Sequence, residues 1–363
     1  MAAKQHSAAG AANWLKRGAT ALVLVPATVA LLKDPRGAAL LLHTLHGIAL
    51  VEYVQAARNT MGSTTATTSL SQYLSVVGGM IVSATSHHGF HCVALCTVLV
   101  ATAIVVFRLL HNDGYSSRGR EKKDMPAPGA DDQRSLAVQR QLRLAVVDLL
   151  SLFWISLGFA HLLLLNLNFN SKKSAEGPNS SIDITEGPGH CLFVILVCWA
   201  ADTGALFAGK LNAKLFASSS APRPDFVARV LRVPPRLVST LHVISPNKTF
   251  SGFAGALLCG TAAAAAFAAC LDRTAGLDQQ PQHCMVALLA VALPCWPAHT
   301  WVALGFSVSV LAVAGDLFES SLKRWSGIKD SGSLFPGHGG SLDRMDSALL
   351  AAPAYFHAAA LLC

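Results

Sequence analysis

Apolar runs long enough to cross a bilayer recur along this chain, and no other property narrows its fold as much. A spanning helix needs about 20 largely apolar residues, because lipid offers no partners to backbone N–H and C=O groups. Apolar runs are read at 37–54, 73–85, 90–110, 144–167, 190–207, in an Ala-rich stretch ending near 270, and at the C-terminal end of 344–363. The run at 19–32, short unless its flanks are included, is preceded by Lys16 and Arg17, contains Pro26, and reads as a first span rather than a cleaved leader. Only 13% of the 363 residues are charged, against about 25% in soluble domains. The expected fold is all-α: a polytopic integral membrane protein of about nine or ten spanning helices.

The net charge of +8 lies mostly in loops. The segments 111–143 and 211–243 hold dense groups of bases, which orients them toward the cytosol. Nothing in them interleaves bases with aromatics, so nucleic acid is not an expected partner; the lipid bilayer is. The nine cysteines are scattered without a CxxC pair, which speaks against zinc or a redox couple. Asn179-Ser180-Ser181 is a glycosylation sequon only if its loop is lumenal. The run 284–314 would be about 46 Å long as one helix at 1.5 Å per residue. It is broken by Pro294 and Pro297, and reads as one short or re-entrant piece plus one true span. The chain divides into N-terminal helices with a basic loop (1–143), a central span and polar loop (144–189) and a C-terminal catalytic membrane domain (190–363).

Against this apolar background one block stands out, GDLFESSLKRWSGIKDSGSLFPGHGGSLDRMDS at 315–347. Its acids are Asp316, Glu319, Asp330, Asp343 and Asp346; its bases are Lys323, Arg324, Lys329 and Arg344. Charges beside hydrocarbon are costly and call for a chemical reason. Asp316, Glu319 and Lys323 have i, i+3 and i+7 spacing and share a helix face. Gly327 is expected to release that helix. PGHGG, with His338, Gly339 and Gly340, is a tight turn whose backbone amides can approach an anion. Asp343 and Asp346, three apart, can hold one divalent cation between them. Upstream, Asp202 is an acid inside an apolar run. Ser245-Pro246 is read as a helix N-cap with proline at the first position, which sets Asn247 and Lys248 at an anion-favouring helix start. Carboxylates for a hard cation, fixed bases and a glycine turn are the parts phosphoryl or nucleotidyl transfer needs. A charged loop with ordinary ion pairs uses the same residues, and the residues alone leave both readings open.

The pattern Ser321, Lys323, Arg324, Lys329, Asp330, Pro336 to Gly340, Asp343, Arg344, Asp346 resembles the signature of the phosphatidate cytidylyltransferase (CDP-diacylglycerol synthase) family. DTGA at 202–205 and SPNKT at 245–249 are similar to two further family elements, and GDLFES resembles its bacterial branch. The likeness covers roughly 198–363. It implies an all-helical, homodimeric membrane enzyme, with a polar funnel opening at the cytosolic face, that transfers CMP from CTP to phosphatidate with Mg²⁺, alone or with a second cation. By the same resemblance Asp316, Asp343 and Asp346 hold metal. Lys248, Lys323, Arg324, Lys329 and Arg344 bind phosphates, and Asp330 and His338 complete the catalytic set. Asp202, Ser245, Asn247, Thr249, Glu319, Gly339 and Gly340 line the substrate site. The sequence departs from the family pattern at Ala200 and Ala201, where serines are frequent, and at Phe250-Ser251-Gly252, where Trp-Glu-Gly is frequent. The runners-up are a CTP-dependent lipid kinase, which moves the γ-phosphoryl instead, and a non-catalytic membrane scaffold.

Overall fold

A computed structural model describes residues 22–61, 66–110, 130–168, 187–216, 225–246, 248–275, 296–335 and 339–362. They form helices α1 (Leu22–Lys33), α2 (Pro35–Met61), α3 (Ala66–Ala84), α4 (Phe90–Leu110), α5 (Ala130–Leu150), α6 (Leu157–Asn168), α7 (Gly187–Leu215), α8 (Phe226–Val230), α9 (Pro235–Ile244), α10 (Phe250–Ala275), α11 (Ala298–Trp325) and α12 (Leu342–Leu362). A π turn, Ser151–Ser156, joins α5 to α6. Among the described residues the only extended pairing is one bridge between Phe335 and Gly339. Seven described helices are long and apolar enough to cross a membrane, so the chain is an all-helical, multi-pass membrane protein. Of the expected first span, 19–32, the described part is α1. Asp34 begins α2 by accepting a hydrogen bond from Gly37 N at 2.7 Å, with Pro35 at the first helical position, where its missing N–H costs nothing.

Four helices frame the C-terminal half, and small residues set how closely they pack. A Cβ on Gly204 of α7 would collide with the Gly255 backbone and Cys259 of α10, so these helices meet nearly backbone to backbone. Further along, Gly260 of α10 lies against Ser309 of α11, and Gly305 of α11 against Ala264 of α10. The order of these contacts makes α7, α10 and α11 run in alternating directions. Hence α10 ends and α11 begins at the same face of the bundle. The expectation of a re-entrant piece falls mainly on 276–295, outside the described residues; α11 is the true span. At this end each helix contributes one buried aromatic: Phe193, Phe267, Trp301 and Tyr355. Phe193 stands 5.0 Å from Trp301 and 5.3 Å from both Phe267 and Tyr355, centroid to centroid. Such pairs add about 0.5–1.5 kcal/mol each beyond burial.

The polar block occupies the opposite end. The 28 residues of α11 extend about 42 Å at 1.5 Å per residue, against a hydrocarbon core of about 30 Å. The final turns of α11 therefore have length to spare, and those turns carry Asp316, Glu319 and Lys323. The helix ends where Gly327 takes φ 67°, as the sequence implied, and Ile328 N donates back to Lys323 O at 3.0 Å.

The N-terminal helices pack against this frame through α2 and α6. Gly158 of α6 lies against the backbone of Leu349 in α12, and Tyr53 of α2 donates to Val147 O of α5 at 2.8 Å. An ion pair, Arg108–Asp148 at 2.7 Å with both side chains buried, ties α4 to α5.

Candidate active site

The site is assembled where α11 and α12 come closest. Gly315 has no room for a Cβ, which would strike the Asp346 carbonyl. That approach sets Asp316, the next residue, beside Asp346. One turn on, Glu319 points into the same space, and the carboxylate oxygens of Asp316, Glu319 and Asp346 lie within 4.8 Å of one another. Among the described residues this is the only group of three or more His, Cys, Asp or Glu side chains arranged to hold a metal. Glu319 is 1% exposed, and its Oε1 is buried without a hydrogen-bond partner. A buried carboxylate with one unpartnered oxygen, close to two other acids, suits a hard divalent cation, which takes oxygen ligands. The residues therefore fit Mg²⁺.

The resemblance assigned Asp343 to the metal, and the helical spacing paired it with Asp346. The structure gives Asp343 different partners. Its Oδ1 pairs with Lys323 Nζ at 2.8 Å, and its Oδ2 accepts hydrogen bonds from Ser331 N at 2.9 Å and Gly340 N at 2.8 Å. Lys323 also contacts Glu319 at 2.5 Å. It thus bridges two acids, one from α11 and one from α12. Lys248 pairs with Asp316 at 2.8 Å. Lys248 and Lys323, two of the three lysines expected to bind phosphate, thus pair with carboxylates, each within reach of the three-acid group.

Asp202 reaches the site from α7, where Ser347 Oγ donates to it at 3.4 Å. Ser347 N also donates to Asp346 at 2.8 Å. Asp202 of DTGA is thereby in contact with Ser347, the residue after LDRMD, 145 positions away in sequence. Arg324, Lys329, Asp330 and Arg344 are exposed around the rim, and Arg324 Nε donates to Ile244 O at 3.1 Å. Asn247 and His338 lie outside the described residues. Gly339 takes φ 85° and closes the turn by accepting from Phe335 N at 2.9 Å.

The helix after SPNKT starts later than expected. Ser245 terminates α9 rather than capping α10, and Thr249 holds the start instead, its Oγ1 accepting from Gly252 N at 3.0 Å. The Ser245 N-cap reading fails because Pro246 closes a turn first, with Lys248 N donating to Ser245 O at 3.2 Å. A second acid completes the start of α10. Asp225, from the connection that carries α8, accepts from Phe250 N, Ser251 N and Ser251 Oγ. It also caps α8 through Val227 N and Ala228 N. Where the resembling family often has a glutamate at position 251, this chain pairs Ser251 with an acid from elsewhere. The sequence reading missed Asp225, Ser347, Ser331 and the contacts of Glu52. Their partners are distant in sequence, and no local spacing marks them.

Residues 239–362 match the sequence model of the cytidylyltransferase family. The chain is 32% identical over 171 residues to the phosphatidate cytidylyltransferase of Staphylococcus aureus strain COL, covering 47% of this chain and 48% of that protein. It is 32% identical to the Staphylococcus saprophyticus protein of the same name and 31% identical to that of Staphylococcus epidermidis strain RP62A, over the same length. The chain thus spans about half the length of the curated relatives it matches. The matched region includes the SPNKT segment and the whole block from Asp316 to Asp346.

Proposed function

We propose that this chain, whose residues 239–362 belong to the cytidylyltransferase family, transfers CMP from CTP to phosphatidate. The products are CDP-diacylglycerol and pyrophosphate. A phosphate oxygen of phosphatidate attacks the α-phosphorus of CTP. One P–O bond forms there, and the bond to the bridging oxygen of the β-phosphate breaks, so that pyrophosphate leaves with the electron pair.

The observation that carries this reading is the juxtaposition of three carboxylates, Asp316, Glu319 and Asp346, with Lys248 and Lys323 at the ends of membrane-crossing helices. Bound there, Mg²⁺ supplies charge neutralisation at the phosphate oxygens. Asp343, the third metal ligand implied by the resemblance, acts in this reading through Lys323, holding its ammonium between two acids. Lys248 and Lys323 exchange their carboxylate partners for phosphate oxygens when nucleotide enters, which places positive charge where the leaving group gains negative charge. Arg324, Lys329 and Arg344 at the rim draw the triphosphate in from water, and Asp330 orders their loop. Asp202 joins the acids from α7 and offers a place for a second cation. Asn247 and His338 border the substrate site in the same reading. Phosphatidate arrives laterally, which accounts for a charged site at the membrane edge. The site face is taken as cytosolic because its neighbouring loops carry the bases, and the working unit as a homodimer, as the resemblance implies.

The test uses purified full-length protein in mixed micelles with phosphatidate, Mg²⁺ and CTP labelled at either the α- or the γ-phosphate. Label from the α-position is expected in lipid. Label only from the γ-position would replace the proposal with a lipid kinase. No label from either, with Asp346→Asn behaving as the unsubstituted chain, would leave only the scaffold reading.

A further inference from the structure

We propose that Glu52, on α2 in the N-terminal half and outside the matched region, is a positioning residue for the phosphate and metal site. The inference rests on the function proposed above and names how the N-terminal helices take part in it.

Glu52 is 6% exposed, yet it faces neither a lysine nor an arginine among the contacts it makes. Its Oε1 accepts from Ser341 N at 3.1 Å, and its Oε2 accepts from Leu342 N at 2.9 Å and from Ser331 Oγ at 3.4 Å. Asp343 takes the neighbouring donors, Gly340 N and Ser331 N. The two carboxylates therefore divide three consecutive amides at the start of α12, where a helix leaves its first N–H groups without partners and its dipole favours negative charge. They also share Ser331, one by its amide and one by its hydroxyl. A Cβ at Gly332 or at Gly340 would run into the Glu52 carboxylate, so both loops lay bare backbone against it. Two turns earlier on the same face of α2, Leu45 O accepts from Ser341 Oγ at 2.8 Å. By these contacts α2 grips the 331–332 loop and the 340–342 segment together. Those are the segments that orient Asp343 toward Lys323 and begin the helix carrying Asp346.

A carboxylate that only filled space or capped a helix would be replaced well by glutamine, which has the same shape. Here both oxygens accept from backbone N–H groups. Whichever way a glutamine amide turns, its NH₂ meets one of those donors, and that amide loses its partner. The clamp opens although the side chain still fits. Misplacement of reacting groups by about 1 Å costs on the order of 100-fold in rate.

The experiment compares the full-length chain with Glu52→Gln and, independently, with Gly332→Ala, which crowds the carboxylate from the other side. The readouts are kcat and KM for CTP at saturating phosphatidate, thermal unfolding in detergent, and deuterium uptake of the peptides spanning 331–332 and 339–342 without ligand. For both variants kcat per folded molecule is expected to fall about 10- to 100-fold. KM for CTP stays within about threefold. Deuterium uptake rises in the 339–342 peptide, whose Ser341 and Leu342 amides lose their acceptor, and in the 331–332 peptide, because the loop loses its Ser331 hydroxyl contact to Glu52 and with it the geometry that holds Ser331 N on Asp343. Wild-type kcat per folded molecule in Glu52→Gln overturns the proposal. So does unchanged uptake in the two peptides, or a loss of activity explained wholly by a smaller folded fraction. If the unsubstituted chain transfers no label to lipid, the function proposed above fails, while the exchange measurement still decides whether Glu52 holds the clamp.

Discussion

Replacing Lys323 by methionine tests the electrostatic plan of the site most directly. The ammonium lies 2.5 Å from Glu319 and 2.8 Å from Asp343, with side-chain exposures of 17% for the lysine, 1% for Glu319 and 4% for Asp343. Methionine keeps most of the stem volume and removes the charge. Two buried acids then face each other across an apolar side chain. Removing one partner of a buried pair costs about 3–5 kcal/mol, mostly because the other charge is left uncompensated. The lysine's partial exposure argues for the lower end, about 3 kcal/mol. For a chain of this size each kcal/mol corresponds to about 2 °C of melting temperature, so Lys323→Met melts about 6 °C lower, compared at one scan rate in one detergent. The added change Glu319→Gln removes the repelling charge and recovers more than half of that shift. On the function proposed above, CMP transfer is expected to stay lost in the double variant, because charge balance is repaired but the ammonium assigned to phosphate is not. A Lys323→Met chain that melts with the unsubstituted protein, or a double variant no more stable than the single one, refutes the reasoning.

Two further outcomes follow from packing and capping. Asp225→Ala strips the acceptor from the starts of both α8 and α10. It is expected to cost about 1–2 kcal/mol, the worth of a helix cap, seen as a lower melting temperature, and to raise KM for CTP because Lys248 immediately precedes α10. Gly204→Ala forces a Cβ into the α10 backbone and costs about 1–3 kcal/mol as overpacking. The matched control Gly209→Ala, whose nearest neighbour is 3.6 Å away, leaves the melting temperature unchanged or slightly higher.

What the sequence made legible was local. The i, i+3, i+7 spacing of Asp316, Glu319 and Lys323 depends only on the helical period, and all three do face one site. The release of α11 at Gly327 needs only a residue at ease with positive φ. The spans at 90–110 and 144–167 follow from hydropathy alone. Partners set by tertiary approach were not legible. The spacing of Asp343 and Asp346 did not reveal that Lys323 and two backbone amides contact Asp343, nor that Glu319 lies beside Asp346 and Asp316. Ser251 reads as the loss of an acid, because nothing in the sequence connects it to Asp225, 26 positions earlier. Glu52 lies near the end of the apolar run 37–54, and nothing in its local spacing marks it as part of a site. Its partners at 341 and 342 lie about 290 positions away, a distance no periodicity spans.

The two lysines resting on the carboxylates also bear on how such a protein is made. In a small zinc domain the metal supplies the folding free energy, and the metal-free chain is unfolded. Here Lys248 and Lys323 act as internal counter-ions for Asp316, Glu319 and Asp343. The acids are therefore partly neutralised by the chain itself. If the function proposed above holds, the bundle would need no metal to be inserted and packed, and a cation would enter with the nucleotide. Biogenesis in the bilayer and loading from the aqueous phase would then be separate events, the second reversible without undoing the first.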